Sequence, residues 1–139
     1  MDTGIKDLLQ LYFDASFESD GEKMSKVFHP GAHVYGHTED SALKDMDREF
    51  FINVVGSLPP GSANASFSRE DEILSVDFTG ENTAVALVKL RLGDIVFTDV
   101  LSLIRLDGKW TVISKLYSGV SAQQSQAKKT RPGRRIYLE

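Results

Sequence analysis

Residues 97–117 read Phe97-Thr98-Asp99-Val100-Leu101-Ser102-Leu103-Ile104-Arg105-Leu106-Asp107-Gly108-Lys109-Trp110-Thr111-Val112-Ile113-Ser114-Lys115-Leu116-Tyr117. Two runs rich in β-branched and aromatic residues flank Asp107-Gly108, so the stretch predicts an antiparallel hairpin. Two registers present themselves. A two-residue turn sets Asp99 opposite Leu116. A three-residue loop, Leu106-Asp107-Gly108, instead sets Asp99 opposite Lys115, Leu101 opposite Ile113 and Phe97 opposite Tyr117. The second joins charge to charge and apolar to apolar, each pair contributing about 0.2–1 kcal/mol, and is the expected one.

The same period extends upstream. Segments 65–78, 83–92, 95–106 and 109–118 read as four strands, parted by turn signals at Gly80-Glu81-Asn82, Gly93-Asp94 and Asp107-Gly108. Such short connections leave no room for crossover helices, so an antiparallel meander follows. The first half has a helical period instead. Ile5, Leu8, Leu9, Tyr12, Phe13 and Phe17 form one stripe over residues 3–18. A short second helix runs from Asp20 through Met24 and Val27 to Phe28, stopped by His29-Pro30-Gly31; Ala32–His37 is compatible with a strand. Asp45 is the expected cap of a third helix that ends at Gly56, ahead of a loop over 57–64. Helices followed by strands give an α+β domain over residues 1–118. Residues 119–139 are expected to form a basic tail, mobile or bound to a partner.

Bulk properties narrow the function. The chain has 139 residues, enough for one core, and no cysteine, which removes disulfides, thiolate metal sites and cysteine nucleophiles. Lys128, Lys129, Arg131, Arg134 and Arg135 crowd the last stretch, so the remaining body carries 11 basic and 19 acidic side chains. An acidic body repels phosphate backbones, so no nucleic acid partner is expected. No apolar run reaches membrane-spanning length and no signal pattern opens the chain, so the expected location is cytoplasmic, with no membrane partner. His29, His33 and His37 recur every four residues, but Pro30-Gly31 prevents the helix that would align them, and no metal site is expected. No glycine-rich phosphate loop and no nucleophile elbow occurs.

Tyr12-Phe13-Asp14-Ala15, Ser19-Asp20-Gly21 and Val27-Phe28-His29-Pro30-Gly31-Ala32 resemble the opening of nuclear-transport-factor-2-like (NTF2-like) proteins. Phe97–Leu103, Asp107-Gly108-Lys109-Trp110 and Ser114-Lys115 are similar to that superfamily's closing hairpin, and most similar to its lumazine-binding branch. The resemblance covers roughly residues 5–118. It implies a cone: about three N-terminal helices packed in a curved antiparallel sheet around a cavity, usually as a homodimer. Steroid isomerases, scytalone dehydratases, epoxide hydrolases and polyketide cyclases share this fold, as do carriers and assembly modules, so the fold alone does not name a reaction.

With that cavity implied, Asp99, Tyr12 and His33 are the candidate catalytic residues. Asp99 would be a carboxylate in an apolar wall, tuned by burial and by Lys115. Alternatively, Asp99 and Lys115 form an ion pair that only fixes register. Tyr12 resembles the oxyanion donor of the steroid isomerases, or serves as a core tyrosine. The isomerase base position falls at Gly36 and its supporting tyrosine at Phe51, so that reaction is not implied. His33 becomes a general base only if its strand slips by one residue; otherwise Val34 and Gly36 face inward. Lys115, Phe97, Leu101, Ile113, Tyr117, Phe50 and Val34 are the expected ligand-binding residues. The expected partner is a small, partly hydrophobic molecule, without a cofactor. Isomerisation, dehydration or cyclisation is the expected chemistry, with a carrier or an assembly module as the alternatives.

Overall fold

The computed structural model describes residues 3–60 and 68–128. Helix α1, Thr3–Glu18, buries Ile5, Leu8, Leu9, Tyr12 and Phe13 on one face, as the stripe requires. Helix α2, Gly21–Ser25, starts where the Asp20 side chain accepts a hydrogen bond from the Lys23 amide at 3.0 Å. Strand β1, Phe28–His37, turns through 38–42 into β2, Leu43–Asp47, a strand that the sequence reading had merged into the third helix. Helix α3, Arg48–Ser57, is capped two residues later than expected, by Asp47, whose side chain accepts from the Phe50 amide at 2.8 Å. Asp45 serves the sheet instead.

Strands β3, Asp71–Phe78, β4, Thr83–Leu92, β5, Ile95–Leu106, and β6, Lys109–Ser121, form the expected meander, followed by α4, Ala122–Lys128. Positions 65–67 of the predicted first strand lie outside the described residues, β3 begins after 68–70, and β6 passes three residues beyond 118. The basic residues from Lys129 onward lie outside the described residues. The six-stranded sheet has the order β2-β1-β6-β5-β4-β3 and curves without closing around the helices. It is mixed, not purely antiparallel: β1 runs parallel to β6, with Val34 opposite Lys115, because the chain crosses back from β1 through α3 and the meander.

The closing hairpin takes neither of the two registers along its whole length. Leu106 pairs with Lys109 around a two-residue turn, with φ of 51° at Asp107 and 76° at Gly108. Both values are left-handed, the mirror-image turn that suits the strand twist. Leu103 then faces Val112, but Ser102 faces Ser114, so Ile113 is an extra residue on β6, a β-bulge. The bulge switches which residues face inward. Trp110 and Val112 are buried before it, and Lys115 is buried after it, while Ile113 is 41% exposed. Asp99 consequently stands opposite Tyr117, Leu101 opposite Lys115 and Phe97 opposite Gly119.

Candidate functional site

The inward face of β5 carries Phe97, Asp99, Leu101 and Leu103 in strict alternation. Asp99 is 0% exposed, a carboxylate in the core. Its neighbours come from three elements. The Tyr12 hydroxyl, from α1, donates to Asp99 Oδ2. Lys115 Nζ, from β6, stands 3.8 Å from the same oxygen. Asp99 Oδ1 has no hydrogen-bond partner among the described residues, an arrangement that is costly unless a ligand group completes it.

The Lys115 ammonium sits among aromatic faces: its Nζ is 4.6 Å from the Phe51 ring centroid, 5.1 Å from that of Tyr12 and 5.7 Å from that of Tyr117. Burial pulls the Lys115 pKa below its usual value, and the Asp99 carboxylate opposes this without cancelling it. Burial also pushes the Tyr12 phenol well above its usual value, and the adjacent Asp99 charge adds to that. Tyr12 is therefore a neutral hydrogen-bond donor already committed to Asp99. That geometry fits the core-tyrosine alternative, with its hydroxyl already engaged.

These three groups lie at the wall of a cavity of about 360 Å³ between α3, β2 and the sheet. That is within the range that holds a small ligand, about 300–1,000 Å³. Phe97 and Tyr117 line it, and Phe50 stands at its mouth with 58% of its surface exposed. Leu101 and Val34 are buried in the core and do not reach the cavity. Ile113 is corrected outright: the bulge turns it to the opposite face of the sheet. His33 is also on that outer face, where its Nδ1 lies 2.7 Å from Asp45 Oδ1 and its ring stacks on Tyr35.

Several wall residues escaped the sequence reading. Met46 comes from the unexpected β2, Val54 and Val55 from α3, Leu58 from the residue that caps it, and Leu90 and Leu92 from β4. Two signals were present. Phe51 and Val55 are spaced i,i+4 on the helix, and Leu90 shares the parity of Ala86 and Val88 on its strand.

At Gly36 the match to the steroid isomerases fails for a physical reason. A Cβ built there would lie 2.5 Å from Tyr117 Cζ, so the tyrosine ring fills the space a base would need. Among the described residues, no group of three or more His, Asp or Glu side chains is placed to hold a metal ion. No described helix is long and apolar enough to cross a membrane.

A curved, unclosed sheet wrapped on N-terminal helices, with a polar trio in an apolar hollow, defines an NTF2-like protein. More narrowly, the chain belongs to the family described as Putative lumazine-binding, whose model matches residues 1–118. The structure is similar to an NTF2-like protein from Shewanella baltica OS155, with a TM-score of 0.77 and 24% identity, covering 85% of this chain and 92% of that one. It is also similar to an NTF2-like protein from Methylobacillus flagellatus KT, with a TM-score of 0.73 and 27% identity, covering 86% and 91%. A ketosteroid isomerase-like protein from Erwinia carotovora atroseptica shares the fold, with a TM-score of 0.65 and 14% identity, covering 86% and 95%. In sequence, the chain is 22% identical over 108 residues to the aldolase FrzH of Cladobotryum sp., covering 76% of this chain and 81% of the relative. The family and these neighbours point to a fold that binds a small molecule in a pocket.

Proposed function

We propose that this chain holds a small, partly apolar carbonyl compound, cyclic or polyketide-like, in its cone and moves a proton on it without a cofactor. Asp99 is the proton-transfer group. One observation carries this reading: a fully buried carboxylate borders an apolar cavity with one oxygen held by Tyr12 and the other without a partner. A carboxylate at the cavity wall, with one oxygen held by Tyr12 and the other without a partner, is placed to take a proton from a C–H held against it. Lys115 offsets developing negative charge on the substrate oxygen. The aldolase relative supports the same chemistry, since aldol reactions begin with loss of a proton beside a carbonyl.

Deuterium uptake beside the carbonyl of cyclohexanone in heavy water, followed by proton NMR, tests the proposal. The protein accelerates the uptake, and Asp99→Asn abolishes the acceleration. A variant that exchanges at the wild-type rate overturns the role of Asp99.

A non-catalytic carrier is the second reading, favoured by Tyr117 occupying the space at Gly36 where isomerases keep a base. In that case Asp99→Asn changes ligand affinity while no exchange occurs in either protein. The assembly we propose is a homodimer through the outer sheet face. There Val100 and Leu116, opposite each other in register, are exposed together with Ile113. Light scattering that returns only monomer mass removes that assignment.

A further inference from the structure

Lys115 is the one buried lysine among the described residues, and the proposed function uses it only as a charge. Its position allows more. Strand β6 delivers it to the cavity wall through the bulge at Ile113, and its Nζ is ringed by Phe51, Tyr12 and Tyr117. At 3.8 Å, the Asp99 contact is an ion pair longer than a good hydrogen bond. We infer that Lys115 is a nucleophile that captures the carbonyl carbon of a ketone or aldehyde bound in the cavity as an imine. This deepens the proposed function and rests on its substrate class.

The step balances with the groups present. The ammonium passes a proton to Asp99 and frees the nitrogen lone pair. That pair forms the C–N bond as the carbonyl π pair moves to oxygen. The oxygen takes that proton from Asp99; the nitrogen then gives its second proton to Asp99, which passes it to the hydroxyl, and the C–O bond breaks as the nitrogen lone pair closes the C=N bond and water leaves. The net reaction is ammonium plus carbonyl to protonated imine plus water, with no oxidant or reductant. The protonated imine then withdraws electrons from the neighbouring carbon, which makes its C–H more acidic for Asp99 to deprotonate.

The surroundings loosen the hold of Lys115 on its proton. From the packed elements, the charged and titratable groups that line the cavity with Lys115 are Asp99 on β5, Tyr12 on α1, Lys44 on β2 and Tyr117 on β6. Asp99 is the only anion among them. The rest of the wall is apolar or aromatic, and burial lowers the affinity of Lys115 for its proton.

Sodium borohydride reduction in the presence of cyclohexanone tests the inference on the full chain. Reduction locks the imine as a cyclohexyl amine, visible by intact mass and located by peptide mapping. The expected result is a single added group on Lys115, lost in Lys115→Arg and slowed in Asp99→Asn. Label on exposed lysines such as Lys6 and Lys26, with Lys115 unmodified, overturns it. The mapping is done on the wild-type protein, so it does not depend on a variant folding. If deuterium exchange persists in Lys115→Arg and no label reaches Lys115, the imine is excluded while the Asp99 proton-transfer reading stands. If Lys115 is labelled but Asp99→Asn exchanges normally, the imine stands and that reading fails.

Discussion

The hydroxyl of Tyr12 donates to Oδ2 of Asp99, joining α1 to β5 across 87 residues of chain. Both side chains are 0% exposed, so neither can turn to solvent for a substitute partner. Tyr12→Phe keeps the ring and removes the donor. It leaves Asp99 with the Lys115 ion pair alone and is expected to destabilise the fold by about 1–3 kcal/mol, measured by urea unfolding. A change below about 0.5 kcal/mol would mean that the bond contributes little to the native state.

Sequence reading reached the α+β class, the helix stripe and the meander because each shows as a period over many residues. It placed Asp99, Lys115 and Tyr117 on the inward side, but for an incomplete reason. Pairing arguments treated the hairpin as a regular ladder, whereas a bulge at Ile113 changes parity partway along β6. No local preference marks that bulge, which falls where the pairing of β1 with β6 also shifts, between Phe28 opposite Val112 and His33 opposite Ser114. The parallel β1–β6 contact and the short β2 were likewise hidden, since both are non-local.

The bulge makes a direct prediction at Ile113. Because its side chain leaves the core, Ile113→Thr is expected to change stability by less than about 0.5 kcal/mol. Leu101→Ala, by contrast, empties a fully buried site and is expected to lose about 2–5 kcal/mol. Paired denaturation curves decide the matter. Equal losses at the two positions would restore the regular register.

Gly36 and Tyr117 form a steric pair. An added Cβ would lie 2.5 Å from Cζ and 2.8 Å from Cε1 and the hydroxyl of the Tyr117 ring. Gly36→Ala therefore displaces the ring and disturbs one side of the Lys115 cage, at a cost of about 1–3 kcal/mol. In a Tyr117→Ala background the same substitution is expected to be nearly neutral. A double-mutant cycle with no coupling between the positions would refute the contact.

His33 lies outside the cavity, with 43% of its side chain exposed in its pair with Asp45. Exposed pairs of this kind contribute at most about 1 kcal/mol. His33→Ala is expected to lower stability by no more than that and to leave the deuterium exchange of cyclohexanone unchanged. Loss of exchange in this variant would return His33 to the list of candidate bases.

Lys115 and Tyr12 should impose opposite dependences on pH. Burial lowers the Lys115 pKa below 10.5, so across the interval between the lowered value and 10.5 the unfolded chain binds more protons than the native one. Stability from this group therefore rises with pH through that interval. The Tyr12 pKa is raised above 10.0, so above that value the unfolded chain loses a proton that the native one keeps, and stability from this group falls as pH rises. Lys115→Met removes the first dependence and keeps the second. The stability of the wild type minus that of Lys115→Met is expected to grow as pH rises toward 10.5, measured by urea titration followed through Trp110 fluorescence. A difference that stays flat or shrinks over this range would show that the protein holds the ammonium comfortably, and the apolar wall would then have no influence on the amine.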